Sequence, residues 1–242
     1  MDCKNCGETV SGNFCSNCGQ DSKIGKINLS NFLNQVSESV FMINKGFFYT
    51  FINLFLRPGK SIKEFLDGKR KYYFKPIAYA LVLSTAYFLI SRIAEEATLL
   101  DDLISGFFTY DSEKEPEIPS MLMWFSTNYA YSTLLLLPIF SFVSFMCFLG
   151  YGRNYLEHII LNAYITGQQA IFYSFFISLE IFIDHDILEV IPLFLSIGYA
   201  FVVFWQFFTE GNRIMNLIRS TLTYLFYLII TFGVLGFIGD WV

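Results

Sequence analysis

Four cysteines near the N-terminus are the residues whose type and spacing best suit chemistry. They form the pattern C-x2-C-x8-C-x2-C, from Cys3, Cys6, Cys15 and Cys18. Each C-x-x-C pair places two sulfurs on one turn, and four converging thiolates suit a tetrahedral zinc ion. Gly7 and Gly19 follow the pairs, and glycine readily adopts the positive φ of such turns. About twenty residues bury little core, so we expect a structural zinc ribbon over residues 1–22 that folds around its metal.

Three other roles for these cysteines are less well supported by the sequence. Two disulfides need an oxidising compartment, whereas the topology derived below places this end in the cytosol. A thioredoxin-type redox motif expects a surrounding βαβ pattern, which this sequence lacks. A catalytic metal is disfavoured because all-thiolate sites leave no open position for a substrate. The fifth cysteine, Cys147, lies in an apolar run and is predicted to be a small buried hydrophobe.

The composition indicates a membrane protein. Of the 242 residues 54% are hydrophobic and 15% charged, whereas soluble domains carry about a quarter charged residues. A bilayer-spanning helix needs about twenty apolar residues. Five segments qualify, at residues 76–93, 129–149, 161–183, 188–208 and 217–239. We therefore expect an all-α integral membrane protein with a five-helix transmembrane bundle over residues 76–242.

The distribution of charge predicts the orientation of these spans. Eleven of the sixteen Lys and Arg residues precede the first span, and Arg153, Arg213 and Arg219 lie between later spans. The alternate connections are acidic, with eight Asp and Glu residues in 94–128 and two more in 184–186. The positive-inside rule then predicts a multi-pass membrane protein with a cytosolic N-terminus and an external C-terminus.

Residues 23–75 are predicted to form an amphipathic linker of interfacial helices between the ribbon and the bundle. Apolar residues recur there at helical spacing, at Leu29, Phe32, Leu33, Val36 and Val40. Segment 47–56 is rich in phenylalanine but too short to span, so we expect it in the interface or under the bundle. Residues 61–64, of sequence SIKE, predict a capping box that opens a short helix ending at Gly68.

Six basic residues surround this short helix, namely Lys60, Lys63, Lys69, Arg70, Lys71 and Lys75. Basic residues beside a span attract anionic headgroups by about 1 kcal/mol each, so membrane lipids are expected partners. The same residues are also explained if they only set the orientation of the first span, as the positive-inside rule describes. Nucleic-acid binding is not expected, because the net charge is −5 and the neighbouring aromatics, 72–74, sit where an interfacial belt belongs.

Several strings of residues resemble a known family. They are Cys15-x-x-Cys18-Gly19-Gln20, Asn44-Lys45-Gly46-Phe47, Arg57-Pro58-Gly59-Lys60 and the run from Gly68 to Pro76. Together they are similar to the bacterial membrane proteins grouped as domain of unknown function 3667, over residues 1–85. This resemblance implies an architecture and a location in the cytoplasmic (inner) membrane of a bacterium, but no particular chemistry. The layout of a cytosolic N-terminus and five spans is also similar to the Yip (Ypt-interacting protein) superfamily.

The third predicted span carries a polar face that could be functional. Its members, all near one side of a helix, are Asn162, Thr166, Gln169, Tyr173 and Glu180. They could line a polar pathway or headgroup pocket, or form interhelical hydrogen bonds that fix packing. Glu157 and His158 could form an acid–base pair at the cytosolic entrance, although a solvated helix start explains them as well. His185, between two aspartates, could bind an external cation or lie in a solvated turn.

These features favour a non-enzymatic membrane protein, a scaffold or adaptor whose cytosolic zinc ribbon docks a protein partner. The closed cysteine site and the long linker support this hypothesis. The alternative is a transporter, channel or lipid-translocating bundle that uses the polar face of span three. An intramembrane enzyme acting through Glu157 and His158 is a third hypothesis.

Overall fold

The computed structural model describes residues 1–25, 27, 45–108, 120–183, 185 and 187–240. These ranges contain nine helices, and the extended pairing found in them is limited to isolated bridges near the N-terminus. The helices are α1 (Lys45–Leu56), α2 (Pro58–Leu66), α3 (Pro76–Ala94), α4 (Leu99–Phe108), α5 (Ser120–Thr127), α6 (Tyr129–Cys147), α7 (Tyr155–Glu180), α8 (Ile187–Phe207) and α9 (Arg213–Asp240). The predicted all-helical fold is confirmed for this part of the chain.

Four helices are long and apolar enough to cross a membrane. They are Pro76–Ala94, Tyr129–Cys147, Ile187–Phe207 and Arg213–Val234. These are the first, second, fourth and fifth predicted spans, so they indicate a multi-pass membrane protein. The third predicted span coincides with α7, which is long enough at 26 residues but more polar. The count of five crossings therefore stays a prediction.

Helix α7 lies at the centre of the bundle. It packs against α3, α6 and α8, and the first half of the helix is almost completely buried. Ala163 of α7 packs beside Ala80 of α3, and Tyr173 further along α7 packs beside Tyr87. The two helices therefore run parallel along the bundle. Because neighbouring helices cover it, α7 can carry polar side chains that a lipid-facing helix could not.

Short helices α1 and α2 close one end of the bundle, which we call the ribbon end because the cysteine residues also lie there. Helix α1 buries Thr50 and Leu54 and leaves an apolar surface exposed at Phe48, Ile52 and Phe55. The Tyr199 hydroxyl of α8 donates to the Leu54 carbonyl at 3.0 Å. The prediction that segment 47–56 packs under the bundle agrees with this placement.

The start of α2 differs from the prediction. The helix begins at Pro58 instead of Ser61, because the fixed φ of proline suits the first helical position. Ser61 therefore lies inside the helix, and its hydroxyl donates to the carbonyls of Asn53 and Arg57 at 3.1 and 2.8 Å. The predicted capping box was wrong, whereas the helix does end before Gly68, whose φ is +115°.

The opposite end of the bundle carries α4 and α5, which the sequence analysis treated as an acidic loop. Helix α4 begins at a local cap, in which Thr98 donates to the Asp101 carboxylate through its backbone and its hydroxyl at 2.9 and 2.8 Å. Leu100 and Ile104 are buried on its inner side. The predicted amphipathic helix through Leu29 and Val40 lies outside the described residues.

Candidate metal centre and its attachment to the bundle

The first 22 residues, which we call the cysteine module, consist of two copies of one small turn. In each copy the glycine after a C-x-x-C pair donates to the carbonyl of the first cysteine, from Gly7 to Cys3 and from Gly19 to Cys15, both at 2.8 Å. Both glycines have positive φ, +78° and +70°, as the turns require. One isolated antiparallel bridge flanks each turn. The first cysteine of each pair therefore faces the second cysteine of the other pair.

The four cysteine sulfurs converge on one point. All four Sγ atoms lie within 4.8 Å of one another, and the cross-turn distances are 3.6 Å for Cys3–Cys18 and 3.5 Å for Cys6–Cys15. A tetrahedral metal with about 2.3 Å bonds to sulfur needs sulfur–sulfur distances of about 3.8 Å. A disulfide needs about 2.05 Å, and all these cysteines are free. The donor set therefore fits a metal ion with four thiolate ligands.

The thiol pKa values differ within the cluster. A hydrogen bond from the Cys18 backbone, assisted by one from Asn17, outweighs desolvation and lowers the pKa of Cys15 to about 7. At Cys6 a backbone hydrogen bond from Glu8 favours the thiolate, but desolvation and the other three thiols raise its pKa to about 11. Adjacent thiolates repel each other, so all four become ionised only with a positive ion between them.

The module is attached to the bundle through Gln20. This side chain is 3% exposed, and its Oε1 accepts hydrogen bonds from the backbone N–H groups of Arg70 and Lys71, each at 3.1 Å. The Lys71 ammonium donates to the Gly19 carbonyl at 3.2 Å. Residue Ile27 is buried in the main core cluster. The module is therefore attached to the loop after α2, and the chain is held again at Ile27, five residues beyond the module.

Most of the six basic residues predicted at lipid headgroups have protein partners. Lys63 pairs with Glu210 at 3.2 Å, and Lys69 pairs with Glu64 at 3.5 Å. Arg70 donates to backbone carbonyls, as does Lys71. Lys75 also makes an interaction within the protein, whereas Lys60 is exposed. These contacts hold α2 and the module in place, and headgroup binding stays a prediction.

A second network joins α2 to the connection between α6 and α7. The Arg153 guanidinium, whose side chain is mostly buried, pairs with Asp67 at 3.1 Å and with Glu157 at 3.5 Å. Glu157 and Asn154 form a capping box at the start of α7, which the sequence analysis missed although the N-x-x-E spacing is visible. Asn154 also donates to the Ile27 carbonyl at 3.4 Å.

Glu157 and His158 do not form an acid–base pair, and the solvated helix start was a wrong interpretation. Both side chains are buried. Glu157 faces the helix cap, whereas His158 Nδ1 shares a 2.9 Å hydrogen bond with the Ser144 hydroxyl. The imidazole lies between the rings of Phe145 and Phe208. His185 accepts from the Ile187 backbone N–H at 3.2 Å, and its flanking aspartates lie outside the described residues.

The predicted polar face of α7 is divided among several neighbouring helices. Asn162 is fully buried and donates to the hydroxyls of Ser141 and Ser144 at 3.3 and 2.8 Å. Gln169 donates to the Ser196 carbonyl at 3.0 Å and the Tyr224 hydroxyl at 3.2 Å. These side chains therefore hydrogen bond to α6, α8 and α9.

The remaining members of that face have different surroundings. Tyr173 is buried, and its ring centroid lies 5.5 Å from that of Tyr87. Thr166 and Glu180 are partly exposed. The neighbouring Gln168, which was not among the predicted residues, is fully buried and accepts from the Tyr79 hydroxyl at 2.8 Å. Gln168 lies on a different side of α7 from Asn162, so a search for one polar stripe could not find it.

We expect Asn162→Leu to destabilise the bundle, because it removes two donors from buried serine hydroxyls. The free energy of unfolding should fall by about 1 kcal/mol, as for a buried interhelical hydrogen bond. Reversible unfolding in mild detergent, followed by circular dichroism, measures the change. Thr221→Val on the exposed side of α9 is the control and should change stability by less than about 0.5 kcal/mol. Equal stability of the two variants would contradict the prediction.

Comparison with known proteins supports the family resemblance. A family model described as Protein of unknown function (DUF3667) matches residues 44–88, which include α1, α2 and the first part of α3. No curated protein and no solved structure matches the chain. The matched segment contains the loop that receives Gln20, so it includes the attachment point of the cysteine module. The similarity in layout to the Yip superfamily stays a prediction.

Proposed function

We propose that this chain is a non-enzymatic membrane protein, a scaffold or adaptor whose zinc ribbon docks a protein partner at the membrane surface. The observation that carries the proposal is the closed cluster of four cysteines. Four thiolates complete the coordination of a tetrahedral metal, so the ion shapes a surface and leaves no position for a substrate. Thiolate ligands in a tetrahedral arrangement favour zinc over harder ions such as magnesium.

The exposed side of the module is the proposed docking surface. The side that contains Gln20 is covered by the loop between α2 and α3, whereas Phe14 in the second turn is 65% exposed. A large aromatic side chain on a rigid support is typical of residues that dominate binding energy in protein interfaces. Fixing the module to the bundle reduces the entropy cost of docking, because the surface is already oriented.

We further propose five crossings, with the module in the cytosol and the chain in a bacterial inner membrane. Helix α7 starts at the ribbon end, where Arg153 contacts Asp67, and Tyr173 reaches Tyr87 towards the other end. At 1.5 Å per residue its 26 residues extend about 39 Å, enough to cross a bilayer. The concentration of Lys and Arg at the ribbon end supports the cytosolic placement.

Two features support membrane lipids as additional partners. Phe48, Ile52 and Phe55 give α1 an exposed apolar face at the ribbon end, where an interfacial helix would contact acyl chains. Lys60 in the next helix is exposed and can meet an anionic headgroup.

For the polar face of α7, the hydrogen bonds of Asn162 and Gln169 support a packing role over a transport pathway.

The docking proposal predicts that Phe14→Ser abolishes capture of the partner. Crosslinking in intact membranes, followed by purification in mild detergent, should recover one defined partner with the wild-type chain. The yield should fall about tenfold or more with Phe14→Ser, since a central aromatic contributes at least 2 kcal/mol at many interfaces. Zinc content should stay unchanged.

Phe182→Ser is the matched control, because Phe182 is also exposed, at 83%, but lies at the opposite end of the bundle. It should recover the partner at the wild-type yield. Recovery of the same partner with Phe14→Ser would disprove the docking surface. Metal analysis of the wild-type sample tests the zinc assignment independently.

A further inference from the structure

The cysteine module and the loop between α2 and α3 meet at one buried side chain. A single oxygen, Oε1 of Gln20, accepts from the backbone N–H groups of both Arg70 and Lys71 at 3.1 Å. If Gln20 moved away, the Lys71 N–H would lose its partner, and the Arg70 N–H would keep only the carbonyl of Gly68 at 3.1 Å. The conformation of this part of the loop therefore depends on the position of Gln20.

The position of Gln20 is determined in turn by a metal-ligating cysteine. The backbone N–H of Cys15 donates to the Gln20 carbonyl at 2.8 Å. Apart from the cysteines, the core of the module contains Val10. One apolar side chain cannot hold a segment of about twenty residues together, so the metal must supply most of its folding free energy. Without the metal, the bond that orients Gln20 has no stable support.

The loop that contacts Gln20 also contacts the end of α2. The Arg70 guanidinium donates to the Gly25 carbonyl at 3.1 Å and to the carbonyl of Phe65, in the last turn of α2, at 3.2 Å. A basic side chain bound to the last carbonyls of a helix stabilises the helix end. Continuous hydrogen bonds therefore lead from Cys15 through Gln20 and Arg70 to α2.

The other end of the same loop is held independently of the module. The Phe74 N–H donates to the Thr50 hydroxyl of α1, and the Tyr164 hydroxyl of α7 donates to the Phe74 carbonyl, both at 2.6 Å. Ile27 stays buried in the core cluster of the bundle. Gly68 and Lys69 are likewise bonded to α2, through the carbonyls of Phe65 and Glu64 at 3.2 and 2.9 Å. Loss of the module's fold would therefore loosen Arg70 and Lys71 alone, with the module still tethered nearby.

We propose that the cysteine module is a metal-dependent latch, which holds the backbone of Arg70 and Lys71 through Gln20 when metal is bound and releases it when metal is lost. The proposal rests on the metal site of the proposed function but requires no docking partner. Release frees the Lys71 ammonium from the Gly19 carbonyl, whereas the Arg70 guanidinium loses the Gly25 carbonyl and keeps the carbonyls of α2. Metal occupancy thereby changes the surface at the ribbon end.

Hydrogen exchange of the full-length protein in mild detergent tests this latch. The zinc-loaded protein is compared with the same sample after removal of zinc by a chelator. We expect exchange at the Arg70 and Lys71 amides to become about tenfold faster or more, as for loss of a net hydrogen bond. Exchange at Phe74 should stay the same, and added zinc should restore the original rates.

Two substitutions of Gln20 separate the latch from unfolding of the module. Gln20→Ala removes the acceptor but keeps the backbone bond to Cys15, so the Arg70 and Lys71 amides should exchange rapidly while zinc content stays at the wild-type value. Gln20→Glu retains an acceptor oxygen of the same reach and should keep both amides protected. A variant that lost its zinc would contradict the prediction that Gln20 lies outside the metal site.

The outcomes distinguish the latch from the proposed function. Unchanged exchange at Arg70 and Lys71 after zinc removal would overturn the latch and leave the zinc ribbon intact. Faster exchange at Phe74 as well would also overturn it. Such a result would mean that zinc removal loosens the bundle itself and not only the contact through Gln20. A wild-type protein that binds no zinc would overturn both.

Discussion

Replacing Cys3 and Cys15 together with serine should lower the bound zinc from about one ion per chain to almost none. The double variant removes one ligand from each turn of the module, and a site with two thiolates left cannot complete a tetrahedral shell. Structural zinc sites supply about 10–16 kcal/mol of apparent binding free energy, far more than a core of one valine. Metal analysis of the purified protein measures the first effect, and proteolysis within residues 1–22 measures the unfolding.

Cys147→Ser is the matched control for this experiment, because Cys147 lies in α6, away from the cluster, and is also a free thiol. It should bind the same amount of zinc as the wild type. The double variant should still insert and keep its helical content, since the helices pack through a separate core cluster. Zinc retained by the double variant would show that other residues bind it.

A second large effect is expected for Gly59→Ala at the start of α2. A Cβ atom at this position would lie 2.5 Å from the Val203 carbonyl oxygen and 2.6 Å from the Phe207 backbone nitrogen of α8. Backbone atoms of a packed helix cannot turn aside as a side chain can. The substitution should therefore lower the free energy of unfolding by about 1–3 kcal/mol, a typical cost of overpacking.

Gly198→Ala in α8 is the control, and it should raise the free energy of unfolding. Nothing lies within 4 Å of a Cβ atom at this position, and alanine favours a helix over glycine by about 1 kcal/mol. Thermal unfolding in one detergent should place the wild type between Gly198→Ala, the more stable, and Gly59→Ala. If Gly59→Ala melted at or above the wild-type temperature, the close contact between α2 and α8 would be disproved.

Some features of the fold could be predicted because they depend on local sequence alone. The two C-x-x-C-G strings specify their turns directly, so the convergence of the four sulfurs followed from spacing. The four lipid-compatible helices follow from length and apolar composition. Neither prediction required knowledge of which residues meet in space.

Features that depend on contacts between distant segments were missed. Gln20 looks like an ordinary polar residue after the second turn, and only the fold brings it to Arg70, 50 residues later. His158 carries a titratable ring, which suggested exposure to solvent, but tertiary packing buries it beside Ser144. A single sequence contains no signal that pairs such positions.

The contact between Ile27 and Asn154 also imposes an order on biosynthesis. These residues are separated by 127 positions, so Ile27 leaves the ribosome on the order of ten seconds before its partner at typical synthesis rates. During that interval the N-terminal turns exist without this contact to the bundle. A nascent chain that binds its metal early would have a folded cysteine module when Asn154 is synthesised. A chain deprived of metal would have an unfolded module at that point.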